Sequence, residues 1–334
     1  MNAKSEPGAP LPVPRPRRGQ AFGWLLAFAL GAWAFAALWF VYPASALGLL
    51  LVGAGVAWRF RRQAWAPIGM PLVPALALAG WFALPPSNDR DWIPEVSRLA
   101  QAEIDGDRIT LHGVRNFEWR TVSDFIPRWE TRTFRLSELR HLDLVMTYWG
   151  SPHVCHTMMT FDFGAGGRIC VSIEARREQG EEYSALAGMF RRYELVYVFS
   201  DERDVVRLRT RIRPNNDVYL FRLNATPAVA QAMFLDYVQT ANALRERPGW
   251  YHSLLTNCST TIRQHVRRAQ VPDPWDWRVL ANGHVDGRLY DFGYVNRDLP
   301  LPELKRRSLI TPAARAADAA PDFSDRIRAG LPGF

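Results

Sequence analysis

The sequence predicts an α+β domain with an antiparallel sheet, preceded by an N-terminal anchor of about three transmembrane helices. Two observations predict this architecture. Long uncharged apolar runs are confined to residues 22–87, whereas short β-prone runs, turn signals and helical patterns alternate from about residue 88 onward. The 334 residues, 48% of them hydrophobic, are too apolar for a disordered chain, and three cysteines are too few for a disulfide framework.

Three apolar runs form the predicted anchor, at residues 22–41, 44–58 and 64–84. As a helix, the first run covers about 30 Å, which is the thickness of the hydrocarbon layer of a membrane. The second is short for a span, and the third contains prolines, which membrane helices tolerate when neighbouring groups satisfy the freed carbonyls. A signal peptide cleaved near Ala44-Ser45-Ala46 is the alternative, but its apolar segment would be too long and two more apolar runs follow it.

The charge distribution predicts the orientation of the anchor. Residues 1–87 hold seven basic residues and one acidic residue, a net charge of +6, so +2 of the total of +8 remains for residues 88–334. Basic clusters at residues 14–18 and 59–62 flank the first two spans, and the positive-inside rule places both clusters in the cytoplasm. The sequence therefore predicts a multi-pass inner-membrane protein with a cytoplasmic tail at residues 1–21 and a periplasmic domain. Because the basic charge reflects this topology, no nucleic-acid partner is predicted.

The periplasmic domain is predicted at residues 88–311, and residues 312–334, rich in alanine and proline, are predicted to form a loose C-terminal tail. Turn signals predict two hairpins, and Thr226-Pro227 predicts the start of a helix that ends before Pro248. The predicted elements are a linker helix at 93–103, a strand or buried helix at 139–148, a hairpin of 154–163 with 168–174, a hairpin of 194–199 with 205–212, a strand at 218–223, a helix at 226–247 and a helix from Cys258 to about Gln270.

Cys258 is the candidate nucleophile because it lies among helix-capping residues, Thr256-Asn257-Cys258-Ser259-Thr260, which predict that a helix begins there. The positive end of the helix dipole and the free amides at a helix start lower the pKa of a thiol and favour the thiolate. The same amides, supported by Asn257 and Ser259, can receive an oxyanion during acyl transfer. The alternative is structural, since a single cysteine is commonly a small buried hydrophobic residue.

His156, on the first strand of the glycine-linked hairpin, is the candidate base. If the link comprises residues 164–166, paired positions sum to 330, and His156 faces Glu174. A carboxylate beside an imidazole fixes its tautomer and supports its charged form, so Glu174 is the candidate third member; a link of another length would shift this register. A zinc site of Cys155, His156 and Cys258 is the alternative, but no CxxC or HxxxH spacing supports it, and no cofactor or metal is predicted.

Eight short motifs stand in order between about residues 103 and 300: Arg115-Asn116-Phe117, Tyr148-Trp149-Gly150-Ser151-Pro152, His156-Thr157 with Phe161-x-Phe163, Ser172-Ile173-Glu174-x-Arg176, Tyr193-Glu194-Leu195-x-Tyr197-Val198, Asp201-Glu202-Arg203-Asp204, Pro248-x-x-Tyr251 and Thr256-Asn257-Cys258-Ser259-Thr260. Together this set resembles the Lnb N-terminal periplasmic domain family. The resemblance implies a permuted papain-like (NlpC-like) thiol fold, in which the histidine strand precedes the cysteine helix. It also implies Cys258 as nucleophile and His156 as base. The activity it implies is lipoprotein N-acylation, in which a phospholipid acyl group passes through a thioester to the amino terminus of a lipoprotein.

Three functions remain open from the sequence. The first is a membrane-anchored periplasmic acyltransferase that acts through a thioester on Cys258, with a phospholipid donor and a lipoprotein acceptor. The second is a cysteine peptidase or amidase acting on cell-envelope peptides, because thioester catalysis also permits water as the acceptor. The third is a non-catalytic envelope-binding module in which Cys258 is a core residue.

Overall fold

The computed structural model describes residues 18–213 and 215–334. The chain divides into two compact units, Met1–Pro85 and Pro86–Phe334. Of the predicted cytoplasmic tail, residues 1–21, residues 1–17 lie outside the described part of the chain. A helix begins at Arg18.

The described part of the N-terminal unit contains four helices: α1 (Arg18–Trp39), α2 (Pro43–Phe60), α3 (Ala66–Gly69) and α4 (Leu72–Phe82). α1 and α2 are long and apolar enough to cross a membrane, and few of their side chains are buried by protein. Apolar helices whose surface is left uncovered by protein are typical of segments that lie in lipid. Both helices therefore fit a membrane anchor.

The third predicted span, residues 64–84, is not a continuous helix. Pro67 lies in the first turn of α3, and Pro71 precedes the first residue of α4. Because proline has no amide hydrogen to continue the helical ladder, the apolar run is broken between the two helices. Together α3 and α4 make a shorter apolar stretch, Ala66–Phe82, and within the described residues only α1 and α2 have the length of a span. The prediction of a third full-length span is therefore not supported.

Ten strands lie in the described part of the C-terminal unit: β1 (Gln101–Asp105), β2 (Arg108–Arg115), β3 (Glu118–Trp119), β4 (Phe125–Ile126), β5 (Trp129–Arg135), β6 (His141–Tyr148), β7 (Cys155–Asp162), β8 (Arg168–Arg176), β9 (Glu194–Asp201) and β10 (Asp217–Arg222). The main sheet has the order β1-β2-β9-β8-β7-β6-β10, and β5 pairs with β2. Its paired strands are antiparallel, with one exception: β2 and β9 pair in parallel through Arg115 and Ser200. The predicted α+β class with an antiparallel-rich sheet is confirmed, and the papain-like arrangement stays a prediction.

Helices cover both faces of this sheet. They are α5 (Glu202–Arg207), α6 (Pro227–Glu246), α7 (Cys258–Arg268), α8 (Val285–Asp291), α9 (Leu301–Arg307), α10 (Thr311–Ala317) and α11 (Phe323–Arg326). On one face, Phe161 of β7 packs edge-to-face against Phe234 and Tyr237 of α6. Met158, which points to the opposite face by strand alternation, packs in a core with residues of α5, α10 and α11. Strand β7, which carries His156, is therefore held between two helical layers.

Two predicted elements are wrong. The predicted strand at 205–212 is instead α5 followed by a π-helical turn, Leu208–Ile212. α5 forms because the Asp201 side chain accepts a hydrogen bond from the Arg203 amide, and because Asp204 is buried where the Trp119 indole and the Phe117 amide donate to it. The predicted linker helix at 93–103 is reduced to a 3₁₀ turn, Pro94–Val96, since the chain enters β1 at Gln101.

The predicted loose tail, residues 312–334, is also wrong. Phe323 of α11 and Ile327, which follows α11, are buried with α10 in the core that contains Met158. Arg328 is buried as well, and its guanidinium donates to Asp143 of β6 at 2.7 Å and to Glu202 of α5 at 2.6 Å. The alanine-rich composition therefore reflects small residues packed against the sheet and not a segment without structure.

Candidate active site

The N-terminus of α7 carries the candidate nucleophile. Asn257 is the N-cap, and its Oδ1 accepts a hydrogen bond from the Thr260 amide at 2.9 Å, while Thr260 Oγ1 accepts one from the Asn257 amide at 2.9 Å. This reciprocal pair is a capping box, and it makes Cys258 the first residue of the helix, as predicted. The first amides of a helix have no acceptor within it, so those of Cys258 and Ser259 can receive an oxyanion.

His156 lies near the start of β7, where the ladder with β8 has ended. The link between these strands is Gly164–Gly166, and the pairs, such as Met158 with Ser172, have positions that sum to 330. The predicted register is therefore confirmed. Because the last β7–β8 pair is at Met158, the Thr157 amide can hydrogen-bond the Cys258 thiol. The Cys258 side chain thus meets β7 where the two strands separate.

A short hydrogen-bond relay connects His156 to Glu174. Ser172 Oγ donates to Glu174 Oε1 at 2.6 Å, and His156 Nε2 lies 2.6 Å from Ser172 Oγ. Nε2 is also 3.3 Å from Glu174 Oε1 directly. Since the Ser172 hydrogen is given to the carboxylate, Nε2 carries the proton in this arrangement, which leaves Nδ1 as the ring nitrogen available to the thiol. Ser172 shares the face of Glu174 by strand alternation, but the bridging position of its hydroxyl was not predicted.

Arg209 is a site residue that the sequence prediction missed. It lies in the π-helical turn after α5, is buried, and donates to Glu174 Oε1 at 3.1 Å and to the Val205 carbonyl at 3.1 Å. Its charge helps to keep Glu174 ionised. Short π-helical segments are frequent at functional sites, but this one falls where the sequence predicted a strand, so no local signal identified Arg209.

The side chains of Cys258, His156 and Glu174 stabilise one another in their charged forms. Burial alone would raise the pKa of the Cys258 thiol, but the charge of His156, a hydrogen bond from it and hydrogen bonds from Thr157 lower that pKa to about 7. Burial alone would lower the pKa of the His156 imidazole, but the charges of Glu174 and Cys258 raise it to about 9. Burial likewise disfavours the Glu174 carboxylate, yet His156 and Arg209 hold its pKa well below the usual range. Between about pH 7 and pH 9, Cys258 and His156 therefore form a thiolate–imidazolium pair.

Asn282, a second residue that the sequence prediction missed, ties β7 to the first turn of α7. Its Oδ1 accepts a hydrogen bond from the Cys155 amide at 2.9 Å, and its Nδ2 donates one to the Cys155 carbonyl at 2.7 Å. Nδ2 also donates to Ser259 Oγ at 3.1 Å and lies 3.8 Å from Cys258 Sγ. The adjacent Gly283 lets the chain approach closely here, since a Cβ at this position would come within 2.3 Å of the Pro152 carbonyl oxygen.

Ser259 lies beside Cys258 and makes structural contacts, and its support of an oxyanion stays a prediction. Its hydroxyl lies 3.1 Å from Thr157 Oγ1 and 3.9 Å from Cys258 Sγ. Together with the bond from Asn282, this contact fixes the start of α7 against β7. The Asn257 side chain, besides capping α7, donates to the Ser253 carbonyl at 2.6 Å and so fixes the loop that precedes the nucleophile.

The other two cysteines have the opposite chemistry. Cys155 and Cys170 are free and buried, and burial raises the pKa of Cys170 to about 12 and that of Cys155 well above its usual value. Buried thiols of this kind are unreactive. Among residues 18–213 and 215–334, no group of three or more histidine, cysteine or acidic residues is arranged to hold a metal, so the zinc alternative gains no support.

Residues 125–283 match the family model described as the Lnb N-terminal periplasmic domain. The match includes every residue of the candidate site, namely His156, Ser172, Glu174, Arg209, Cys258 and Asn282, and it confirms the family that the sequence motifs predict. No curated protein and no solved structure matches the chain significantly.

Proposed function

Residues 125–283 form an Lnb N-terminal periplasmic domain, and on that premise we propose that the protein is a membrane-anchored, cysteine-dependent acyltransferase of the cell envelope. The periplasmic family and the two apolar helices fit an envelope-associated, membrane-anchored protein. The observation that carries the proposed activity is the Cys258 thiol, whose pKa is lowered to about 7 at a helix N-terminus beside His156. A buried cysteine with only a packing role would have its pKa raised, as Cys170 does.

In the proposed first half-reaction, the Cys258 thiolate attacks an ester carbonyl carbon of a phospholipid. A bond forms between Sγ and that carbon, and the carbonyl oxygen becomes an oxyanion near the amides of Cys258 and Ser259. When the tetrahedral intermediate collapses, the ester carbon–oxygen bond breaks and the leaving oxygen takes the proton of the His156 imidazolium. The products are a lysophospholipid and an acyl thioester on Cys258.

In the proposed second half-reaction, the neutral amino terminus of a lipoprotein attacks the thioester carbon. His156, now neutral, accepts the proton that the amine loses, and Cys258 leaves as the thiolate. An amide forms, and the thiolate–imidazolium pair is restored. Glu174, held by Ser172 and Arg209, stabilises the imidazolium at the end of each cycle.

The proposed topology follows from charge. Arg59, Arg61 and Arg62 lie at and just after the C-terminus of α2, so the positive-inside rule favours a cytoplasmic position for that end. A periplasmic domain then requires a third crossing by Ala66–Phe82. This stretch is divided into α3 and α4, so in the proposed topology the two short helices complete the crossing together. We therefore propose an inner-membrane protein with a cytoplasmic N-terminus.

The activity is tested with the full chain in nanodiscs whose phospholipid carries an alkyne-tagged acyl chain. We expect a label on Cys258 that neutral hydroxylamine removes, because thioesters are cleaved by that nucleophile. Cys258→Ala should reduce the label to background, whereas Cys170→Ala, which removes a buried thiol of raised pKa, should leave it unchanged. An unlabelled wild-type chain, or a label that survives in Cys258→Ala, would overturn the proposal. Cleavage of envelope peptides without lipid labelling would instead identify a hydrolase.

A further inference from the structure

An apolar cavity of about 340 Å³ lies in the C-terminal unit, beside the candidate site. Its walls come from both strands and helices, with Leu144 of β6, Met159 of β7, Met233 of α6 and Leu289 of α8 among the residues that line it. α7 contributes Ser259, Ile262, Arg263 and Val266. This spacing of three and four residues describes one continuous helix face, so the cavity follows α7 for about 10 Å from its first turn. Cavities of this size and lining are typical of small-ligand sites.

One end of the cavity lies next to the nucleophile. Ser259 and Thr157 line it, and their hydroxyl groups lie 3.1 Å apart. Ser259 Oγ is 3.9 Å from Cys258 Sγ, so the thiol lies beside a residue of the cavity wall. A group bonded to Sγ would therefore start within one residue of the cavity wall.

The charged residues at the cavity are already paired with one another. The Arg263 guanidinium lies 2.5 Å from Asp273 Oδ2, and Arg288 contacts the other oxygen of the same carboxylate. The remaining lining is dominated by valine, leucine, isoleucine and methionine. A peptide or a sugar would leave its polar groups unsatisfied in such a space, whereas a hydrocarbon chain has none to satisfy.

We propose that this cavity binds one fatty acyl chain while the carbonyl carbon of that chain is bonded to Cys258 Sγ. The inference rests on the proposed thioester function and adds to it the binding site of the transferred chain. The hydrocarbon lies along the inner face of α7, with its first carbons beside Ser259 and later carbons beside Ile262 and Val266. Removing methylenes from water into such a cavity favours binding by up to about fourfold per methylene.

The test compares acylation of Cys258 by p-nitrophenyl acetate and p-nitrophenyl octanoate. The full chain is placed in nanodiscs of ether-linked phospholipid, which offers no ester to compete, and the acyl adduct is followed by mass spectrometry. After correction for the reactivity of each ester with a free thiol, we expect octanoate to exceed acetate in kcat/KM by at least about 100-fold.

Variants at one position of α7 should move this ratio in opposite directions. Val266→Phe fills the cavity and should lower the octanoate-to-acetate ratio by at least about tenfold, the equivalent of two methylenes. Val266→Ala enlarges it and should raise the ratio of p-nitrophenyl dodecanoate to octanoate. Gln264→Phe is the matched control, because Gln264 is exposed on the same helix and does not line the cavity; it should leave each ratio within about twofold of wild type.

The outcomes separate this inference from the proposed function. If Cys258 is acylated equally by both esters, or if Val266→Phe and Gln264→Phe have the same ratios, the cavity does not bind the chain, although thioester formation stands. If neither ester acylates Cys258 in the wild-type chain, the thioester chemistry itself fails, and the inference fails with it.

Discussion

Replacing His156 by alanine is expected to raise the pKa of the Cys258 thiol from about 7 to above its ordinary value of 9.0. The reason is that burial, which raises this pKa, would no longer be opposed by the charge and hydrogen bond of the imidazole. At pH 7 the thiol of the wild type is about half ionised, whereas a thiol with a pKa of 9 or more is about 1% ionised. Alkylation at pH 7 should therefore slow at least about 50-fold.

The measurement is the rate of iodoacetamide addition to Cys258 between pH 5 and pH 11, followed on the Cys258 peptide by mass spectrometry. The wild-type rate should rise with pH through an inflection near 7, because the thiolate is the reactive form. Acyl transfer should in addition fall above about pH 9, where His156 loses the proton that the leaving group needs. His153→Ala removes an exposed histidine three residues away, which contacts His284, and should leave the inflection unchanged. An unchanged inflection in His156→Ala would refute the thiolate–imidazolium pair.

Replacing Arg328 by alanine is expected to lower the free energy of unfolding of the C-terminal unit by about 3–5 kcal/mol. Asp143 and Glu202 are both buried, and Arg328 donates to each of them through two hydrogen bonds. Removing the guanidinium leaves the Glu202 carboxylate with the Thr160 hydroxyl but without its cation, and Asp143 with Arg222 alone. A buried charge that loses its partner keeps its full desolvation cost, which accounts for the size of the effect.

Arg326→Ala is the matched control, since Arg326 lies two residues away in α11, is largely exposed, and pairs with Asp322 on the surface. It should change the unfolding free energy by less than about 1 kcal/mol. Thermal and denaturant unfolding of the full chain in nanodiscs would measure both variants, with tryptophan fluorescence of the C-terminal unit as the signal. Equal stability of the two variants would mean that residues 312–334 do not contribute to the core, contrary to the contacts of Phe323 and Ile327.

The predictions that the structure confirms depend on residues close together in the chain. The Asn257–Thr260 capping box spans four residues, and the three-residue link Gly164–Gly166 sets the pairing of β7 with β8. A cap or a tight link has few alternative conformations, so its sequence is sufficient to identify it. The positions of Cys258 and His156 on their elements follow from these two signals.

The features that sequence analysis missed depend on contacts between distant positions. Arg209 donates to a residue 35 positions away, Asn282 to one 127 away, and Arg328 to one 185 away. No local pattern identifies such partners, because the burial that makes an arginine or asparagine useful exists only after the sheet has formed. The same cause explains α5, which replaces a predicted strand because Asp204 finds its donors on β3 and in the turn before it.

The most direct test of the central claim, that Cys258 transfers an acyl group to the amino terminus of a lipoprotein, is mass spectrometry of lipoprotein amino termini from cells. The host should depend on this protein alone for the modification. Cells that express the wild-type chain or Cys170→Ala should contain lipoproteins whose amino terminus carries an added acyl chain. Cells that express Cys258→Ala at equal abundance should contain the same lipoproteins with a free amine. Identical lipoprotein masses in the wild-type and Cys258→Ala cells would contradict the account.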